Sequence, residues 1–142
     1  MSFESLVAEH DDIERLLDAL RGAVDAAVPD VADAVAIMRN LGAALASHDA
    51  NEARIVYTHL IDAPDREASR EAAEFNHRYE QLREDVTTYF YEWTQDCIAL
   101  DWAAFVDATR TIARRLQERV RHETATIYML ALRKGTIRLR AA

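Results

Sequence analysis

Apolar residues recur at spacings of three and four along four long segments of this chain, with few interruptions. This spacing places the apolar side chains on one face of an α-helix. Pro29 and Pro64 lie where one helix must end and the next begin, Asp101 can cap a further helix, and Gly135 ends the last one. The predicted helices span about residues 2–27, 30–62, 65–97 and 102–133.

Short connections between long helices make neighbouring helices antiparallel. The chain of 142 residues has the length of one domain and is long enough to bury a core. No linker or low-complexity segment divides it. We therefore predict an all-α protein, a single domain over residues 1–142, folded as an antiparallel up-down-up-down four-helix bundle.

Charge and composition argue against several partners. Asp and Glu number 25 against 17 Lys and Arg, a net charge of −8 that disfavours nucleic acid and anionic lipid. No segment approaches the roughly 18 apolar residues of a membrane span, and the N-terminal segment carries acids where a signal peptide would be apolar. Cys97 is the single cysteine, so no disulfide forms within the chain. These features predict a cytoplasmic protein.

Polar residues occupy buried positions of the apolar stripes at His10, His48, Glu52 and Glu123. Such groups are costly in a core unless they are paired or bind a metal. His10 lies 19 residues before Pro29 and His48 lies 19 residues after it, so both fall at one level of the bundle, about 28 Å from the turn. Glu52 follows His48 by four residues and shares its face of the helix.

The fourth helix contains a histidine that does not fit this pattern. In the second helix, His48 is followed by Glu at +4 and Tyr at +9; in the fourth, the same residue types follow Arg119 at those offsets. Arg119 therefore takes the place of His48, and Glu123 that of Glu52. His122 lies about 130° from the centre of the apolar stripe and is interpreted as a solvated or interfacial residue. A rotation of the fourth helix would make it a ligand instead, and the same alternative holds for His77 on the third helix.

The third helix shows a similar replacement. His77 lies almost opposite the apolar stripe, and alignment of the first and third helices puts Asn76 at the position of His10. The second half of the chain thus repeats the first with Asn76 and Arg119 in place of histidines. Of the three ligand positions in the first half, the second half keeps only one, at Glu123.

Four further residues are weighed as possible members of the site. His59 shares the predicted stripe of His48 but lies about 16 Å farther along, too far to share an ion. Asp49 lies about 100° around the helix from His48 and is placed at the edge of the site. Tyr79 is near the site level and would be a metal ligand or a nearby donor, although a packing tyrosine is favoured. Glu14 either orients His10 or is solvated.

Taken together, these segments resemble the hemerythrin-like (HHE cation-binding) family, with a degenerate second half. The resemblance is carried by AEHDDIERLLDAL and LASHDANEARIVYTHL, and more weakly by EFNHRYEQLREDV and LQERVRHETATIYMLAL. It implies a non-haem di-iron centre inside a helical bundle, with histidines from all four helices and carboxylates four or five residues after a histidine. Members of the family bind or sense oxygen, peroxide or nitric oxide, or handle iron.

Carried over position by position, the resemblance supports four metal ligands: His10, His48, Glu52 and Glu123. It does not imply two full iron sites, because Asn76 and Arg119 replace histidines. The expected cofactor is iron, as one or two ions, with zinc or manganese as alternatives that suit the same ligands. A guanidinium has no lone pair for a metal but can supply positive charge to Glu52 and Glu123, so a site that has lost its metal is the other reading.

Three functions remain open from the sequence. The first is a metal protein that binds or senses oxygen, peroxide or nitric oxide. The second is a metal-free bundle with a buried Arg–Glu–His network that acts as a structural or signalling module. The third is an enzyme of peroxide or oxygen chemistry, for which the sequence shows no substrate pocket. Aromatic residues at 89–91, 93 and 102 would form a homodimer or partner surface if their exposed part is contiguous.

Overall fold

The computed structural model describes residues 2–141, which are helical almost throughout. The helices are α1 (Phe3–Asp25), α2 (Val31–Glu52), α3 (Thr58–Ile61), α4 (Arg66–Arg78), α5 (Glu80–Glu92), α6 (Gln95–Leu100), α7 (Trp102–Glu123) and α8 (Met129–Arg133). Two π-helical turns, π1 (Ala53–Tyr57) and π2 (Thr124–Tyr128), join α2 to α3 and α7 to α8. The predicted all-α class is confirmed. Within residues 2–141, β pairing is limited to one isolated bridge between Ser2 and Arg138.

Short polar side chains begin the helices by accepting hydrogen bonds from otherwise free backbone N–H groups. Asp101 caps α7 in this way, as predicted, by accepting from the N–H of Ala104. At the other end, Gly135 follows α8 with φ of +69°, a conformation that glycine adopts without strain. The remaining caps of this kind are Ser2 for α1, Asp30 for α2, Asp65 for α4 and Thr94 for α6.

The prediction of one continuous third helix is wrong. The segment is broken at Tyr79, and α5 ends at Glu92 rather than near residue 97. The backbone of Trp93 leaves the helical region, and the Thr94 hydroxyl then accepts from the N–H of Cys97. This cap starts the short helix α6, which lies in a stretch predicted as the end of the third helix and the turn after it.

Side-chain pairs define how the long helices run. Between α1 and α7 the pairs are Asp25–Arg110, Arg21–Gln117 and Glu14–Arg121. Between α5 and α7 they are Asp85–Arg115 and Tyr89–Thr109. In both sets one residue number falls as the other rises, so α7 is antiparallel to α1 and to α5. Within the described residues, no helix is both long and apolar enough to cross a membrane.

Two apolar clusters fill the interior, and the polar residues of interest lie between them. Ile13, Leu17 and Leu116 belong to the larger cluster, and Leu6 and Tyr128 belong to the smaller. Because His10 lies between Leu6 and Ile13 on α1, the clusters enclose it from both ends. The polar residues are therefore buried in the core, with apolar side chains on both sides of them.

Most of the aromatic residues near α6 belong to the larger apolar cluster. Tyr89 is buried, and Phe90, Trp93 and Trp102 pack against that cluster. Tyr91 is the exposed one, with 84% of its surface accessible. Phe90, Trp93 and Trp102 are half-buried, so Tyr91 is the one aromatic side chain of this group that is largely exposed. The homodimer stays a prediction without added support.

Candidate metal centre

The structure brings all four predicted ligand residues together. His10 on α1, His48 and Glu52 on α2 and Glu123 at the end of α7 are each at most 3% exposed. One ligand atom from each lies within 4.8 Å of those from the other three. Burial of two carboxylates and two imidazoles at one point would be costly unless the groups share protons or a cation.

The spacing inside this cluster suits a single ion. The His10 Nε2 atom is 2.9 Å from His48 Nε2, 3.1 Å from Glu123 Oε1 and 3.4 Å from Glu52 Oε1. His48 Nε2 contacts Glu52 Oε1 directly and lies 3.7 Å from Glu123 Oε1. Metal–ligand bonds of about 2.0–2.2 Å place neighbouring ligand atoms about 3–3.5 Å apart.

Hydrogen bonds on the far side of each imidazole fix its orientation. His10 Nδ1 is 2.8 Å from the Thr124 hydroxyl, which donates its own proton to the carbonyl of Val120 and therefore accepts from His10. His48 Nδ1 donates to Glu9 Oε2 at 3.0 Å. In the neutral form of each ring the proton is on Nδ1, and the Nε2 lone pair points into the cluster. Metal-binding histidines in proteins are usually held this way.

Two tyrosines, which the sequence reasoning used only as spacing markers, belong to the cluster. The Tyr57 hydroxyl donates to Glu123 Oε2, and the Tyr128 hydroxyl donates to Glu52 Oε1. Tyr128 also lies 2.9 Å from His10 Nε2 and stacks on the His10 ring at 4.8 Å between centroids. Each tyrosine thus binds the carboxylate of the opposite helix. The signal that could have found them is that each follows a buried Glu by five residues.

The π-helical turns explain this arrangement. Both π1 and π2 begin directly after a cluster carboxylate, at Ala53 after Glu52 and at Thr124 after Glu123. A π turn inserts an extra residue, so that positions five apart point the same way. In each half of the chain, the buried Glu and the Tyr five residues after it therefore face the same cluster. Single π turns of this kind often occur at functional sites.

The prediction that His59 lies on the buried stripe of the second helix is wrong, because π1 comes between His48 and His59. An uninterrupted α-helix would place His59 on the buried stripe, but π1 rotates the residues after Glu52. His59 is exposed, with its Nδ1 donating to the Ile55 carbonyl at 2.8 Å, and Val56 is buried instead.

Arg119 lies at one edge of the cluster, at the position in α7 that matches His48 in α2. Its Nη2 atom is 3.3 Å from Asp49 Oδ1, 3.6 Å from Glu52 Oε2 and 3.9 Å from Glu123 Oε2. Arg119 is 7% exposed. The guanidinium thus supplies positive charge to both cluster carboxylates while its hydrogen bond goes to Asp49.

Burial and the neighbouring carboxylates act in opposite directions on the pKa of each imidazole. Burial lowers the pKa of His10 and His48, but hydrogen bonds to Glu123 and Glu52 outweigh it. The net effect raises the pKa of His10 and raises that of His48 to about 10. Burial and the neighbouring Glu123 raise the pKa of Glu52. For Glu123, hydrogen bonds and the charge of Arg119 overcome burial and lower the pKa.

The remaining candidates lie outside the cluster. His122 Nδ1 accepts a hydrogen bond from the Tyr79 hydroxyl at 2.7 Å, so these two side chains contact each other and not the cluster. His77 has a side chain that is 85% exposed. The Asn76 side chain accepts from Arg83 at 3.2 Å. None of these side chains belongs to the group of ligand atoms that converge on His10.

The residues present fit a divalent metal ion. Two imidazoles with inward lone pairs and two carboxylates are common ligands of iron, zinc and manganese. Glu52 Oε2 is buried and has no hydrogen-bond partner, which is unusual for a buried carboxylate oxygen. A cation among these four side chains would satisfy it and would separate the two facing Nε2 lone pairs.

Comparison with known families gives one result. The sequence model of the family described as the hemerythrin HHE cation binding domain matches residues 1–131. No curated protein and no solved structure matches this chain. The matched range contains all four cluster residues and both π turns.

Proposed function

Because the chain belongs to the hemerythrin HHE cation-binding domain family, as its sequence predicted, we propose that it is a non-haem iron protein. A single ion is held by His10, His48, Glu52 and Glu123. The observation that carries this proposal is the convergence of their ligand atoms within 4.8 Å in the core. Zinc and manganese suit the same ligands and are the alternatives.

The proposal is for one ion because the second half of the chain offers too few ligands. Asn76 is engaged by Arg83, and Arg119 carries a positive charge with no lone pair for a metal. Glu123 alone remains from that half. A positive guanidinium 3.9 Å from this carboxylate also opposes a second cation there.

The proposed ligands of the centre are oxygen, peroxide or nitric oxide. Bound iron supplies a Lewis acid and one-electron redox chemistry that the side chains lack. The chain's own residues supply the surroundings: the apolar clusters exclude water, Tyr57 and Tyr128 fix the carboxylates, and Arg119 offers a permanent charge at the edge. Burial and the nearby Glu123 and Glu52 raise the pKa of both tyrosines, so both stay protonated and act as donors.

The proposed architecture is a single domain over residues 1–142 with the up-down-up-down topology. The antiparallel pairs of α7 with α1 and with α5 support it. A single cooperative thermal transition, the same by near- and far-ultraviolet circular dichroism, is the expected behaviour of one domain.

A ferrous titration tests the proposed function. Protein stripped with chelator and titrated under anaerobic conditions should saturate at one equivalent of iron. Addition of nitric oxide, oxygen or peroxide should then change the visible absorption spectrum of the loaded protein and leave the stripped protein unchanged. Saturation without any spectral response would limit the function to metal binding, and lack of uptake would refute the proposal.

Removal of the Tyr128 hydroxyl should weaken metal binding. In Tyr128→Phe the Glu52 carboxylate loses its donor, and loss of such a supporting contact typically costs about 10–100-fold in metal affinity. The measurement is competition with a calibrated chelator. Tyr89→Phe is the matched control, because it removes another buried hydroxyl, bonded to Thr109 at 2.7 Å, outside the cluster. Equal affinities of the two variants would show that Tyr128 does not support the site.

A second function has its own structural support. Arg119 lies within ion-pair distance of both Glu52 and Glu123, so it can balance the cluster without an ion. A metal-free bundle of this kind would act as a structural or signalling module. Its stability would not depend on metal, which separates it from the iron protein.

A further inference from the structure

A groove with one polar end and one apolar end lies beside the cluster. It is a cavity of about 460 Å³ between α2 and α5, with α7 beneath it. Asp49, Arg83 and Arg119 line one end, while Gly42 and Phe90 line the other. Cavities of roughly 300–1,000 Å³ are the usual size for small-molecule sites.

The dimensions of the groove suit an extended chain. Asp49 comes seven positions after Gly42 on α2, and Phe90 comes seven positions after Arg83 on α5. At about 1.5 Å per residue the groove is about 10 Å long. Its walls between the ends are apolar and include Val86.

The polar end holds a cation, Arg83, whose hydrogen bonds go to neutral oxygen atoms. Arg83 donates to the side-chain and backbone oxygens of Asn76, both at 3.2 Å, and these neutral partners leave its charge in place. Arg119 pairs with Asp49 at 3.3 Å and lies 3.6 Å from Glu52 and 3.9 Å from Glu123, so its charge is already balanced. The charge of Arg83 favours an anion at this end, whereas the carboxylate of Asp49 disfavours a doubly charged one.

We propose that this groove binds a medium-chain fatty acid, with its carboxylate at Arg83 and its tail toward Gly42 and Phe90. The proposal stands independently of the metal centre. Gly42 leaves room at the apolar end, since a Cβ atom there would lie 3.7 Å from the Phe90 ring, in ordinary contact. A larger side chain at this position would extend into the space of the tail.

Calorimetric titration with octanoate, below its micelle concentration, tests the site. The wild type should bind one octanoate saturably, and Gly42→Leu should weaken binding by about tenfold or more, because its side chain fills the apolar end. Gly22→Leu is the matched control: Gly22 is also helical, and a Cβ there meets nothing within 4 Å. Both changes replace glycine by a better helix former, so neither should unfold the protein.

The polar end is tested separately. Arg83→Gln should weaken octanoate binding by about tenfold through loss of a charged donor, and octanol should bind more weakly than octanoate to the wild type. Metal content should be the same in wild type, Gly42→Leu and Arg83→Gln. Absence of saturable binding, or equal binding by Gly42→Leu and Gly22→Leu, overturns the site. Tighter binding of octanol overturns its carboxylate preference, and self-association abolished by Gly42→Leu would assign the groove to a second copy of the chain.

Discussion

We expect the His48→Ala variant to take up no metal ion. The change removes one of the two imidazole ligands, and with it the contact between His48 Nε2 and Glu52 that fixes this carboxylate. The remaining His10, Glu52 and Glu123 would be left with a space that water fills. Metal content after loading with ferrous iron or zinc, followed by desalting, measures the effect.

His122→Ala and His77→Ala are the controls, and both should load metal as the wild type does. His122 is bonded to Tyr79 rather than to the cluster, and His77 is exposed. Loss of metal in His122→Ala together with retention in His48→Ala would mean that the ligands on both α2 and α7 have been wrongly assigned.

In metal-free protein, Arg119→Ala should destabilise the fold by about 3–5 kcal/mol, the typical cost of leaving buried charge uncompensated. Arg119 is 7% exposed and faces three carboxylates, of Asp49, Glu52 and Glu123. The measurement is urea unfolding with chelator present, compared with the wild type under the same conditions. Added ferrous iron should restore part of the lost stability, because a cation would replace the missing charge.

Arg121→Ala is the matched control on the same helix. The Arg121 side chain is 68% exposed and pairs with Glu14 at the surface, so this variant should remain close to wild-type stability. Equal effects of Arg119→Ala and Arg121→Ala would contradict a buried ion-pair network.

The Arg119→His variant tests whether Arg119 occupies a former ligand position, and it should bind metal more tightly than the wild type. If the wild type binds no metal and Arg119→His does, the metal-free function is favoured.

The position of the four cluster residues could be predicted because helical periodicity is rigid. A rise of about 1.5 Å per residue fixes the level of His10 and His48 relative to the turn at Pro29. The same periodicity, with the repeated offsets, placed Glu123 rather than His122 in the core. The structure brings these residues together, and the matched family agrees with the resemblance read from the same segments.

The π turns could not be predicted in this way. They are departures from the α-helical period that depend on tertiary packing, and no residue type in π1 or π2 marks them. The exposure of His59 and the inward position of Tyr57 both follow from π1. Similarly, the extra helix α6 depends on the Thr94 cap, which residue spacing alone did not distinguish from the end of a longer helix.

The central claim is that this cluster holds a metal ion, and the metal content of protein isolated without a chelating tag tests it most directly. Elemental analysis of the wild type should find one transition-metal ion per chain, with iron as the expected element. The same analysis of His48→Ala, prepared in parallel and shown to be folded by circular dichroism, should find none. Wild-type protein that carries no metal, takes none up after loading and unfolds identically with and without chelator would contradict the claim.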